Sequence, residues 1–220
     1  MADNENTWDK LLQVKTTGRD DSKAGHDYYP YEPTPYPVLE RLANRGLIRK
    51  KDVVLDYGCG KGRVDFFLSY QTKAKTIGIE YDERIYQSAL ENQKTAVSRA
   101  RTEFVLARAE EYEVPSEGNR CYFFNPFSVE ILRKVMAKIM ESHEKKPREV
   151  FLFFYYPSEE YLSYLMEVDG LELYDEIPCG DLFEGNDPRE RVMVFLLPHN
   201  RTENELYVKR KRNETTISYL

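Results

Sequence analysis

The stretch VVLDYGCGKGRVDFF, residues 53–67, joins an apolar run to glycines at alternate positions, Gly58, Gly60 and Gly62, with Asp56 just ahead of them. Three chemistries compete for it. A phosphate loop needs a Ser or Thr directly after its Gly-Lys pair, because that hydroxyl holds magnesium; here Gly62 follows Lys61, and the pattern fails. A dinucleotide fingerprint needs a third glycine three positions after the second, and Arg63 stands there, which weakens that reading. What remains is a turn at the carboxyl end of a strand, where glycines let the backbone approach a ligand and the Asp56 carboxylate meets an ammonium group. A bare strand-to-helix turn with no ligand is the bland alternative. Lys61 is then expected to point to solvent.

Further along, similar chemistry recurs at the ends of apolar runs. Glu80 closes TIGIE, where an open parallel sheet places an acid that accepts two hydrogen bonds from ribose hydroxyls. ARAEEY then sets Ala109 and Glu110 beside an adenine so placed, and FFNPF sets Asn125 and Pro126 at a fourth strand end. Four successive strand ends thus supply ligand groups.

These groups need a scaffold that brings strand ends together. Apolar runs rich in Val, Ile and Phe alternate with helical patterns from Asp52 onward, which predicts crossover units and a mostly parallel sheet. Strands are expected near 53–57, 76–80, 103–106, 120–124, 149–155, 171–177 and 191–197. A helix is expected over 36–45, and Asp82 and Ser128 are expected to cap two more. The fold class is therefore α/β: a Rossmann-like seven-stranded mostly parallel sheet, helices on both faces, and a C-terminal antiparallel hairpin. Residues 1–27 read as an N-terminal arm or lid with a short helix around Trp8, 28–198 as the main domain, and 199–220 as a charged tail.

Composition bounds the function classes. The chain is 220 residues long, 41% apolar, and carries a net charge of −6, which disfavours extensive contact with nucleic acid. Cys59, Cys121 and Cys179 show neither disulfide pairing nor metal-ligand spacing, so no metal is expected and they read as reduced thiols. The polar N-terminus and the lack of a run of about 18 apolar residues predict no signal peptide or membrane span, and a cytoplasmic location.

At this point the chain resembles a class I S-adenosylmethionine-dependent methyltransferase over residues 28–197. VVLDYGCGKGR is similar to the first motif of that family, IGIEYD to the second, FVLARAEEY to the third and CYFFNPF to the fourth. The resemblance implies S-adenosyl-L-methionine as cofactor. It places Asp56, Gly58, Cys59 and Gly60 at the methionine moiety, Glu80 at the ribose, Tyr81 on the adenine edge, and Ala109 with Glu110 bordering the adenine. YYPYEPTP also resembles a segment of prokaryotic and mitochondrial lysine methyltransferases that covers the cofactor, which makes Tyr31 and Thr34 candidate contacts. Two departures stand out: Arg108 replaces the usual Asp of the third motif, and NPF lacks one proline of the N-P-P-F or N-P-P-Y form.

The implied reaction is N-methylation of a protein side chain or a small-molecule amine. Asn125 and the Pro126 region would accept hydrogen bonds from the target nitrogen, Phe127 would pack on the acceptor, and Tyr28, Tyr29 or Tyr31 would close the pocket. The alternatives are a nucleobase (rRNA or tRNA) methyltransferase and a cofactor-binding module without turnover, with a nicotinamide-dependent oxidoreductase ranked last. The sequence names no acceptor and sets no oligomeric state.

Overall fold

A computed structural model describes residues 2–20, 25, 28, 29 and 31–199, the side chains of 2–4 excepted. Apart from His199, the tail expected at 199–220 lies outside the described residues.

The strands are β1 (Val53–Tyr57), β2 (Lys75–Glu80), β3 (Thr102–Leu106), β4 (Gly118–Phe123), β5 (Val150–Tyr155), β6 (Glu172–Pro178) and β7 (Arg191–Leu197). They form one sheet in the order β3-β2-β1-β4-β5-β7-β6. β1 to β5 pair in parallel, and β7 runs antiparallel to both β5 and β6. The closing hairpin is thus inserted so that β7 alone opposes the other strands. The expected strand limits agree to within two residues.

Helices α1 (Ala2–Leu12), α2 (Tyr36–Asn44), α3 (Arg63–Thr72), α4 (Glu83–Thr95), α5 (Val129–Lys145) and α6 (Glu159–Glu167) cover the sheet. Because strand side chains alternate between faces, Val54 in β1 joins a core beneath α2 and α3 with Leu39, Leu42, Phe66 and Phe67, whereas Leu55 joins one with Leu132, Val135 and Ile139 of α5. Covering both faces explains why VVLDY and VFLFFY are buried throughout. On the α5 side the rings of Tyr57, Phe123 and Phe154 stack in sequence across β1, β4 and β5, at 4.9 and 4.6 Å between centroids.

Local chemistry sets the helix starts. Asp82 caps α4, accepting from the backbone N–H of Arg84 at 2.9 Å. Ser128 does precede α5, yet its hydroxyl makes no capping bond. The N-terminal helix is longer than a few residues around Trp8 and is anchored: Trp8 meets Phe67 edge-on at 4.9 Å, and its Nε1 donates to Glu40.

The chain runs outward from β1 through β2 to β3 and returns on the other side of β1 as β4. That reversal opens a crevice beyond the carboxyl ends of β1 and β4, where open α/β sheets bind ligands.

Candidate active site

The β1–α3 turn forms the floor of the crevice. Gly58, Gly60 and Gly62 have φ of +78°, +57° and +85°, a left-handed backbone that glycine adopts without strain. Each faces a different neighbour. A Cβ on Gly58 would lie 2.5 Å from Pro126, one on Gly60 2.1 Å from the Tyr31 ring, and one on Gly62 2.6 Å from Phe104. Gly62 therefore serves the packing of α3 on β3, while Gly58 and Gly60 serve the cleft. Lys61 does not point freely to solvent: its Nζ donates to the Thr17 carbonyl and lies 4.9 Å from the Tyr31 ring.

Glu80, at the end of β2, is 6% exposed and lines the cleft. Its oxygens accept from the backbone N–H groups of Gly60 at 3.0 Å and Asp82 at 2.8 Å. Burial raises its pKa, and the N–H groups of Asp82, Gly60 and Tyr81 pull it back. With two lone pairs on each oxygen, three N–H donors leave the carboxylate room for a further donor. Tyr81, next along, stacks at 3.9 Å on Tyr28, whose hydroxyl donates to Glu110 Oε2 at 2.6 Å. Ala109 lines the cleft directly, and Glu110 reaches it through Tyr28.

The roof comes from the N-terminal segment. Tyr31 lies across Gly60 and donates its hydroxyl to the Thr16 carbonyl at 2.6 Å. Thr34 is buried and shares a hydrogen bond with the Tyr122 hydroxyl at 2.9 Å. Asp9 ties the strap down, accepting from Thr16 N, Thr16 Oγ1 and the Tyr36 hydroxyl, each at 2.6 Å.

The fourth strand end behaves differently from the sequence reading. Asn125 has φ of +38°; its Nδ2 donates to the Tyr156 carbonyl and its Oδ1 accepts from Ser158 N at 3.3 Å. The amide expected to meet a target nitrogen thus holds the β5–α6 turn. The Pro126 carbonyl accepts from Tyr29 N at 3.2 Å, and the Phe127 ring is 1% exposed, packed edge-on against Tyr28 and Phe123. Pro126 and Phe127 line the cleft.

Two groups that the sequence reading passed over complete the site. Arg63, considered there for the glycine it replaces, is 2% exposed and lines the cleft. It donates to Thr16 Oγ1, to the Thr34 carbonyl and to Glu5, while Nη2 makes no hydrogen bond among the described residues and lies 4.0 Å from Asp9 Oδ1. Asp65, one turn into α3, is fully buried against Asp56. Burial, followed by the charge of Glu80, pushes Asp56 up to about 7 against a hydrogen bond from Asp65 that lowers it, and Asp56 Oδ2 meets no donor among the described residues. Cys59, beside them, is held protonated by burial first and by the neighbouring acids second, so it is no nucleophile. A charged residue inside the RVDFFL run was the signal for both.

The cleft is therefore lined by an acid and a guanidinium, Asp56 and Arg63, each with one buried atom, Oδ2 and Nη2, that makes no hydrogen bond among the described residues, together with a carboxylate on backbone N–H groups and an aromatic roof. Such a donor set fits an amino-acid zwitterion linked to a nucleoside. No cluster of His, Cys, Asp or Glu suited to a metal ion occurs among the described residues, and no helix there is long and apolar enough to cross a membrane.

Comparison with known proteins agrees with this geometry. Residues 48–148 match the family model described as a methyltransferase domain. A protein-lysine N-methyltransferase of Saccharolobus islandicus is 33% identical over 73 residues, 32% of this chain and 45% of that relative, so the match spans less than half the relative's length. The fold is shared with an RNA methyltransferase from Salinibacter ruber solved with S-adenosyl-L-homocysteine (TM-score 0.51, 22% identity, 78% of this chain and 97% of that one). It is shared also with a TehB-like SAM-dependent methyltransferase from Corynebacterium glutamicum (TM-score 0.52, 17% identity, 90% and 98%). Residues 48–148 of this chain thus match a methyltransferase domain, on a fold shared with S-adenosylmethionine-dependent methyltransferases.

Proposed function

We propose that the protein transfers a methyl group from S-adenosyl-L-methionine to an amine nitrogen of a protein side chain or a small molecule. The observation that carries this is the Glu80 carboxylate, fixed by the Gly60 and Asp82 N–H groups beside a turn that admits no Cβ at Gly58. The methyltransferase domain match and the relative named as a protein-lysine N-methyltransferase support it.

When bound, the cofactor supplies a methyl group made electrophilic by its sulfonium. The chain's own residues bind and align. Asp56 takes the ammonium and Arg63 Nη2 the carboxylate of the methionine part, with Gly58, Cys59 and Gly60 as the floor. Glu80 takes the ribose hydroxyls, Tyr81, Ala109 and Glu110 border the adenine, and Tyr31 and Thr34 form the roof. Asn125, Pro126 and Phe127 frame the acceptor. Asn125 acts there by fixing the turn, since its amide is engaged with Tyr156 and Ser158. The aromatic surroundings of Phe127 and Tyr31 desolvate an incoming ammonium, lower its pKa and free the lone pair that attacks.

The acidic chain and the lysine-modifying relative favour an amine over a nucleobase. Three free, buried cysteines fit a reducing compartment, the cytoplasm. A cofactor-binding module without turnover draws on the engaged Asn125 amide. Asn125→Ala separates the two: an enzyme loses transfer of tritiated methyl groups into acceptor extract while binding persists, and a module shows no transfer before or after the change.

Calorimetry with S-adenosylmethionine on the wild type and on Gly58→Arg tests the site. Binding by the wild type and none by the variant is expected. Equal affinity in the two would place the cofactor elsewhere.

A further inference from the structure

Asp65 is a buried acid that the proposed reaction does not use. It sits in the first turn of α3 with no exposed surface; neither carboxyl oxygen makes a well-formed hydrogen bond among the described residues, and its own N–H and the Thr76 hydroxyl only partly offset the burial that raises its pKa. An isolated ionised carboxylate in that position would be prohibitively costly. Its neighbour is Asp56, itself 2% exposed and within hydrogen-bonding reach.

The sheet is shaped to hold this pair. In the β1–β2 register Asp56 lies opposite Gly78. A Cβ on Gly78 would fall 2.8 Å from Asp65 Oδ2 and 2.7 Å from Cys59 Sγ, so the missing side chain makes room for the second acid. The titratable groups that act on the pair are Glu80 from β2, the Cys59 thiol from the turn, Tyr122 from β4 and Tyr31 from the strap. None of these is a cation. Arg63, on the same helix, is turned to Glu5, Thr16, the Thr34 carbonyl and Asp9.

Two buried carboxyls in contact cannot both ionise, and share a proton instead. We propose that Asp65 is a positioning residue for the cofactor: it stays protonated, donates its O–H to Asp56, and so presents one oriented negative charge to the methionine ammonium. The inference rests on the proposed contact between Asp56 and that ammonium. When the ammonium arrives, the proton that leaves is the one on Asp56, which passes to solvent; Asp65 keeps its own. Asp56 titrates near 7, so release occurs below about pH 7 and fades above it, and affinity rises with pH to that point and then levels.

Without ligand, the folded chain holds protons on Asp56 and Asp65 that an unfolded chain gives up near 3.8, so the stability this pair contributes is greatest below that pH and falls as pH rises, the Asp56 share through about 7 and the Asp65 share beyond it.

The experiment is calorimetry of the full chain with S-adenosylhomocysteine from about pH 5.5 to about 8.5, in two buffers of different ionisation enthalpy, with thermal melts of the unliganded protein. Asp65→Asn keeps a donor toward Asp56 and is expected to bind like the wild type. Asp65→Leu keeps the volume without the donor, and is expected to bind about tenfold more weakly and to level off about one pH unit higher. Unliganded Asp65→Asn should lose melting temperature with rising pH about half as steeply as the wild type, one proton being removed from the pair. That last comparison decides the matter if Asp65→Leu does not fold. Equal affinities and pH profiles in both variants and the wild type, or an unchanged melting slope in Asp65→Asn, overturn this inference alone. A wild type that binds no S-adenosylhomocysteine at any pH overturns the cofactor reading and this inference with it.

Discussion

Gly60 and Gly62 share a left-handed backbone and differ in what lies against them. A methyl group on Gly62 strikes Phe104 and Phe66 in the core, so Gly62→Ala is expected to lower stability by about 1–3 kcal/mol in urea denaturation, with cofactor affinity kept in the folded fraction. On Gly60 the same methyl strikes Tyr31, so Gly60→Ala should lift the roof and weaken the cofactor, read by calorimetry. Both Glu80 oxygens accept backbone N–H groups. Glu80→Gln must turn an NH2 toward one of them, and affinity is expected to drop about tenfold or more. Asp56 and Glu80 were legible because each ends an apolar strand, and strand ends face the crevice whatever the packing. Arg63 and Asp65 were not, because their meaning comes from Glu5, Thr16 and Gly78, which only the folded chain brings near.

At the scale of elements, the alternation of strands and helices was readable because both faces of the sheet are covered at its centre, where β1, β5 and β7 are almost unbroken apolar runs. The place of β7 between β5 and β6 was not readable, since a hairpin has the same pattern whichever of its strands pairs inward. The N-terminal arm shows the same limit: the short helix around Trp8 was readable, but not that its Asp9 is buried and accepts three hydrogen bonds. Asp9→Ala leaves Thr16 and the Tyr36 hydroxyl without that partner, and a loss of about 2–4 kcal/mol is expected. Hydrogen exchange should rise at Val14 to Thr17 before it rises in the sheet. Unchanged exchange there would mean that the strap does not depend on Asp9.

Across the whole molecule the two ends of the sheet divide the work. The amino ends of β1 and β4 hold a buried group in which Asp52 accepts from Arg49 N at 2.7 Å and Asn119 at 2.9 Å and pairs with Arg120 at 3.4 Å. Asp52→Ala leaves the buried Arg120 charge with only Glu149 at 3.6 Å as its carboxylate partner and is expected to cost about 1–3 kcal/mol, with cofactor affinity unchanged in the protein that remains folded. The carboxyl ends carry the turn, Glu80 and the aromatic roof, and there the account stands or falls. A crystal structure of the full chain with S-adenosylhomocysteine is the direct measurement. Ribose hydroxyls on the Glu80 carboxylate and the methionine ammonium at Asp56 are the expected result. A cofactor bound away from the β1–α3 turn, or a ribose that leaves Glu80 untouched, would contradict it.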